Sequence, residues 1–214
     1  DALHAAVNNG ADAVYLGLGA LNARRGAGNF DVESLAEGTR FAHLRGVRVY
    51  LTANVVVLER EVDEALAMID AAWRAGVDAV IVQDLGLMRL VAAELPDIRL
   101  HASTQIDAQN PQTVHALAAL GARRVTLARE LDVASIAACV AAGLEVETFV
   151  HGAICYSHSG QCLMSSMIGR RSANRGLCAQ PCRLAYELLD PAGERVEVPG
   201  RYLLSPKDMA GIAH

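Results

Sequence analysis

Apolar residues along the chain fall into short blocks that recur just behind a glycine. Gly10 precedes Ala13-Val14-Tyr15-Leu16, Gly46 precedes Val47 to Leu51, Gly76 precedes Ala79 to Val82, Gly121 precedes Val125 to Leu127, and Gly143 precedes Val146 to Val150. Each unit reads as an amphipathic helix, a left-handed residue closing it, and a strand. A sixth block, Ile98 to Leu100, follows Leu95-Pro96, where proline stops the helix instead. The helices carry their own signals: Val62, Leu66, Ile69 and Trp73 recur at helical spacing, Asn110-Pro111 supplies a cap and a first turn, and Asp132 caps a third helix.

Several blocks are apolar throughout and do not alternate, the pattern of strands covered on both faces in a parallel sheet flanked by helices. Six strands in strict alternation with helices predict a (β/α) barrel or a doubly wound sheet. The barrel is preferred. The opening helix, Asp1 to Asn9, has no strand before it, and the helix start at Ser205-Pro206-Lys207-Asp208 has none after it, so one strand added at each end makes eight. The expected fold is α/β, a (β/α)8 TIM-like barrel truncated at both ends, with residues 1–214 forming one partial barrel domain.

The repeat breaks after Val150. Residues 151–183 are rich in Cys, Ser, Gly and Arg, and residues 184–204 read as a hairpin turning at Asp190-Pro191-Ala192-Gly193 between Tyr186 to Leu189 and Arg195 to Val198. On the eight-strand count the insertion follows the seventh strand. It therefore falls at the C-terminal face, where barrel enzymes keep their active sites.

Charge sharpens the picture. The net charge is −5, which argues against a protein that coats nucleic acid by phosphate neutralisation alone, yet residues 151–183 hold Arg170, Arg171, Arg175 and Arg183 and no acidic residue. No apolar run reaches the ~18 residues of a membrane span, and no secretory signal opens the chain, so a cytoplasmic protein with no membrane contact is expected.

The same segment carries four of the five cysteines, Cys155, Cys162, Cys178 and Cys182, spaced C-x6-C-x15-C-x3-C, while Cys139 lies in the apolar helix SIAACVAAG and reads as core. Four thiols in one polar, irregular segment fit a metal centre. An iron–sulfur cluster, a structural zinc without C-x2-C knuckles, or two disulfides all remain open on spacing alone. Further candidates sit where strands end: Asn54, Gln83, Asp84, His101, Gln105, Glu130 and His151. His101 and His151 are the preferred acid/base pair because imidazole titrates near neutrality. Gly17-Leu18-Gly19 lacks the third glycine of a dinucleotide fingerprint, and neither H-E-x-x-H nor G-x-S-x-G occurs. A Cys155/His158 protease pair is the weaker alternative.

The segment HGAICYSHSGQCLMSSMIGRRSANRGLCAQPCR followed by YLLSPKDM resembles peptidase family U32, the collagenase-like peptidases, as do GADAVYLG, LNARRGAGNF and LHASTQIDAQN. The resemblance covers essentially the whole chain. The family name implies proteolysis. Its better understood relatives imply something else: prephenate-dependent, oxygen-independent hydroxylation of pyrimidines in ribosomal or transfer RNA, or of the ubiquinone ring, with a four-iron four-sulfur cluster held by cysteines of this segment. Cys155, Cys162, Cys178 and Cys182 match those cysteines by position. Having Cys178 and Cys182 together aligns the chain with the RNA-modifying or general peptidase branch.

The resemblance thus implies a [4Fe–4S] cofactor, with zinc as the alternative, and prephenate as co-substrate. The expected partners are RNA or a small anionic co-substrate, and a protein of the same family. Arg170, Arg171, Arg175 and Arg183, with Asn54 and Gln105, are the candidate substrate-binding residues, since a guanidinium fork suits phosphate and carboxylate. A non-catalytic RNA- or partner-binding barrel with a structural metal is the remaining reading.

Overall fold

A computed structural model describes residues 1–19 and 21–211. Helices and strands alternate along the chain: α1 (Ala2–Asn8), β1 (Ala13–Gly17), α2 (Val32–His43), β2 (Arg48–Ala53), α3 (Val62–Arg74), β3 (Ala79–Val82), α4 (Leu85–Glu94), β4 (Leu100–Ala102), α5 (Pro111–Ala119), β5 (Ala122–Thr126), α6 (Val133–Val140) and β6 (Glu145–Glu147). The caps are those that the sequence dictates. Asp31 and Ser34 form a reciprocal capping box on α2, and the side chains of Asp84, Asn110 and Asp132 accept from Leu87, Thr113 and Ser135 backbone N–H groups at 2.9, 2.9 and 2.7 Å. Gly10, Gly46, Gly76, Gly121 and Gly143 all take positive φ, between 72° and 99°.

The six strands are parallel and hydrogen-bonded in sequence order, β1 to β6. A doubly wound sheet would reverse that order at a switch point. Unreversed, with right-handed crossovers, every helix falls on one face and the sheet curls into a half-barrel. On the outer face Val49, Leu51, Val80, Val82, Leu100 and Val125 pack against Leu35, Ala65, Ile69, Ala72, Met88, Val91, Val114 and Leu117 of the helices. On the inner face Tyr50, Ala79 and Ile81 form a separate apolar group with Ala13.

Three expectations are corrected. The fourth strand begins at Leu100, not Ile98, because Leu95 to Ile98 form a turn after the proline (Ile98 N–H to Leu95 O, 3.1 Å). The sixth ends at Glu147, short of Val150. Ser205 to Asp208 start no helix: they take no regular structure and lead into β10 (Met209–Ala210), which pairs antiparallel with β7 (His151–Gly152), so the chain returns to where the insertion left it. Between them lie α7 (Met164–Gly169), three single 3-10 turns, and a short exposed hairpin of β8 (Leu188–Leu189) and β9 (Arg195–Val196). Gly193 N–H bonds to Asp190 O at 2.9 Å, closing the expected turn. The six parallel strands are the six read from the sequence.

Candidate metal centre

The insertion lies across the C-terminal end of the half-barrel, bound to the loops that follow four of its strands. At the loop after β1, a Cβ on Gly176 would lie 2.2 Å from the Asn22 carbonyl oxygen, so only glycine permits this approach. At the loop after β2, the Arg175 guanidinium grips both oxygens of Glu61, at 2.8 and 2.6 Å, and donates to Val56 O at 2.8 Å. Gln161 Nε2 donates to Gln105 O after β4. After β5, Glu130 accepts from Ser159 N–H at 2.9 Å and from its hydroxyl at 3.1 Å. The Arg175 hydrogen bond, helped by one from Leu58 N–H, pulls the Glu61 carboxyl down to about 2.

Arg183 closes the insertion on itself. Its guanidinium donates to Ile154 O at the entry (2.8 Å) and to Ser205 Oγ (2.7 Å) and Pro206 O (3.3 Å) at the exit. Arg175 and Arg183, read from sequence as substrate grips, thus serve as internal clasps here. Arg170 and Arg171 are exposed and form no ion pair among the described residues.

Within this frame the four cysteines are free thiols, unpaired by disulfides. Burial raises the Cys182 thiol, the nearby Cys155 raises it further, Arg183 opposes, and Cys178 and Cys162 add to the rise, so this thiol feels all three of the others. Donors already point at the sulfurs: Met164 N–H to Cys162 Sγ at 3.4 Å, Gln180 N–H to Cys178 Sγ at 3.3 Å, and Ser157 Oγ within 3.4 Å of Cys155 Sγ. Such donors stabilise thiolate charge and tune a bound centre.

The spacing bears on the metal. Four thiolates on one tetrahedral zinc at 2.3 Å stand about 3.8 Å apart, but among the described residues no three of these sulfurs lie within 4.8 Å of one another. A cubane binds each thiolate through a different iron and so needs them farther apart. A set of four thiols offers ligands to either an iron–sulfur cluster or, after side-chain adjustment, a single zinc ion. Cys139 is fully buried in α6, its thiol pushed up by desolvation, and belongs to the core as expected.

The inner face of the sheet holds a polar group that sequence reasoning saw only in part. Pairing runs Gly17, Thr52, Ile81, His101, Arg124, Glu145 across the six strands. A bulge between β4 and β5 skips Arg123 and brings Arg124 beside His101. Arg124 bonds Glu145 (2.5 Å) and Glu147 (3.1 Å), and its guanidinium lies 5.3 Å from the Tyr50 ring. His101 is 2% exposed and meets Tyr50 edge-on at 4.8 Å. Burial and then the Arg124 charge push its imidazole down to about 4, so it is neutral at pH 7, and its Nδ1 has no partner. The signal available in sequence was the alternation of charge in Glu145-Val146-Glu147, which marks one face of a strand.

The other candidates are placed as follows. His151 is exposed on β7 whereas His101 is buried, and among the described residues no hydrogen bond joins the two. Asn54 Oδ1 accepts from Ala23 N–H at 2.9 Å and anchors the loop after β1. Gln105 offers its backbone carbonyl to Gln83 and Gln161, and its side chain lies against Gly160.

The sequence model of peptidase family U32 matches residues 1–214. The chain is 43% identical to an uncharacterized protease of Methanocaldococcus jannaschii, over 99% of this chain and 54% of that protein. It is 42% identical to the 23S rRNA 5-hydroxycytidine synthase of Escherichia coli, over 95% of this chain and 30% of that protein. The chain thus spans about half or less of the curated relatives it matches. Among solved structures, a U32 peptidase superposes with a TM-score of 0.59 at 19% identity, covering 91% of this chain and 81% of that one, which agrees with the half-barrel.

Proposed function

The chain belongs to peptidase family U32, and from that premise we propose that it forms the barrel of an iron–sulfur-dependent hydroxylase acting on a pyrimidine base of ribosomal or transfer RNA in the cytoplasm. The observation that supports this reading is that Cys155, Cys162, Cys178 and Cys182 are all free thiols in the segment over the mouth, with Cys182 near enough to the other three to feel their charge. The 42% identity to an RNA-modifying synthase supports the substrate class.

Those four cysteines would hold a four-iron four-sulfur cluster, which supplies one-electron redox chemistry or Lewis acidity when bound. The chain's own residues do the remaining work. Arg175 fixes the cysteine segment against the barrel, and Arg183 closes that segment on itself. Arg170 and Arg171 offer unpaired guanidinium forks to RNA phosphates or to the two carboxylates of prephenate, the proposed oxygen donor. His101, neutral and with Nδ1 free, is the proton acceptor on the inner face.

Anaerobic purification of the full-length protein tests the reading. Four irons per chain are expected, with thiolate-to-iron charge-transfer absorption that Cys182→Ser abolishes while the barrel stays folded. A second readout is one oxygen atom gained on a pyrimidine of RNA, dependent on prephenate. A folded, iron-free protein carrying zinc in the same cysteines overturns it.

The protease name of one relative favours a peptidase as the second reading. Geometry gives it less support: among the described residues no serine hydroxyl or cysteine thiol is hydrogen-bonded to an imidazole, since Cys155 meets Ser157 and Ser159 meets Glu130. Cleavage of gelatin-like peptides that persists without iron would establish it. A non-catalytic barrel with a structural clasp predicts instead that Cys182→Ser unfolds the insertion.

A further inference from the structure

Outside the thiol set and the inner face, three side chains from three segments meet at the mouth: Asp107 from the turn after β4, Glu130 from the loop after β5, and His158 from the insertion. One ligand atom of each lies within 4.8 Å of the other two. Among the described residues no ion pair within 4.0 Å joins the imidazole to either carboxylate. His158 thus stands too far away to satisfy the acids by a hydrogen bond and near enough for all three to reach one ion. Ligands sharing a cation at about 2.1 Å are about 3.0 to 3.5 Å apart, so closing the set needs roughly an ångström of side-chain adjustment.

The carboxylates are oriented as metal ligands usually are. Gln109 Nε2 donates to Asp107 Oδ1 at 3.0 Å, and Ser159 holds both Glu130 oxygens, leaving lone pairs on each. Holding the Ser159 turn would account for Glu130 alone. It does not account for Asp107 and His158 bringing their heteroatoms to the same point.

We propose that Asp107, Glu130 and His158 bind a divalent first-row metal ion of the manganese type, a second inorganic site separate from the four cysteines. Two carboxylates and one imidazole favour such an ion, whereas thiolates select softer ones. Three protein ligands leave coordination positions for water or for an anionic oxygen of a substrate, the class of ligand the site would take. The ion would pin the insertion to the barrel at the turn His158–Gly160, which follows the Cys155–Ser157 contact. The inference does not depend on the iron–sulfur reading.

The test is Mn²⁺ titration of the full-length protein, with the unbound ion counted by electron paramagnetic resonance. Manganese is the probe because the cysteines compete for it weakly. One saturable equivalent per chain is expected, half-saturated below about 100 µM. Asp107→Asn and His158→Gln should each weaken it at least about tenfold, with circular dichroism unchanged, whereas Cys178→Ser should shift it by less than about threefold. These variants decide the matter because Glu130→Gln also frees Ser159. No saturable binding by the folded wild-type protein below about 1 mM overturns the proposal. So does binding unchanged in both Asp107→Asn and His158→Gln, or binding lost in Cys178→Ser alone.

Discussion

Arg175 and Glu61 lie 114 positions apart and close a two-point ion pair, Nη1 to Oε2 at 2.8 Å and Nη2 to Oε1 at 2.6 Å. Glu61 also accepts from Leu58 N–H at 2.9 Å, so one carboxylate both caps a turn after β2 and moors the cysteine segment. Arg175→Lys keeps the charge but loses the fork. We expect local opening of the insertion to rise on the order of tenfold, read as proteolysis within residues 153–187, with the barrel's unfolding midpoint unchanged. Because the Glu61 pKa is depressed to about 2, the clasp's contribution is complete above the unfolded carboxylate pKa, declines below it and is lost as pH falls through about 2. Wild-type proteolysis rates should therefore hold constant from pH 7 to pH 5 and rise only in stronger acid.

His101 makes a different pH prediction. Its folded pKa of about 4 lies below the ordinary 6.5, so the unfolded chain binds the extra proton, and stability falls as pH drops through the window between them. Urea unfolding should show at most about 2 kcal/mol lost between pH 7 and pH 5 on this account. His101→Gln should flatten the dependence above pH 5, a range in which the carboxylates stay ionised. An unchanged slope in that variant would mean that another group carries it.

Gly176 is a steric test of the docking of the insertion. Gly176→Ala sets a methyl group 2.2 Å from the Asn22 carbonyl at a φ of 79°, so the segment must shift away from the loop after β1. We expect a loss of about 1 to 3 kcal/mol and reduced iron uptake in anaerobic reconstitution. Gly169→Ala, with nothing within 4 Å of the added carbon, is the control and should change neither measurement.

Arg170→Ala and Arg171→Ala address RNA binding. Both side chains are exposed and structurally uncommitted, so melting should be unaffected. Each should weaken RNA affinity and lower the slope of log K against log salt by about 0.7 if it contacts a phosphate. Filter binding across a salt series measures this, and identical slopes would remove both residues from the interface.

The strand-and-helix frame was legible because its determinants are local: the glycines after helices, Asn110-Pro111 and Asp132 each act within a few residues. The site was legible as a set of cysteines but not as an assembly. Nothing near Arg175 announces that its partner is Glu61, and nothing near Arg183 points to Ile154 and Ser205; those contacts exist only once the insertion has folded over the mouth. Arginines that look like ligand grips in one dimension can be fasteners in three. Likewise His101 and His151 share a residue type and a position after apolar blocks, yet one faces the inside of the sheet, with no hydrogen bond to the other, because the bulge and register that set its neighbours are non-local. Ser205 to Asp208 misled for the reverse reason: a sound local helix start was overridden by pairing of Met209–Ala210 with β7.

That antiparallel pairing has an evolutionary consequence. Gly152 sits opposite Met209, so the whole cysteine excursion leaves and rejoins the scaffold at adjacent points. For a detour anchored this way the entropic penalty grows only with the logarithm of its length. Segments of other sizes and chemistries can therefore be grafted between the same two stubs, and one scaffold can exchange its reactive headpiece while its framework stays put.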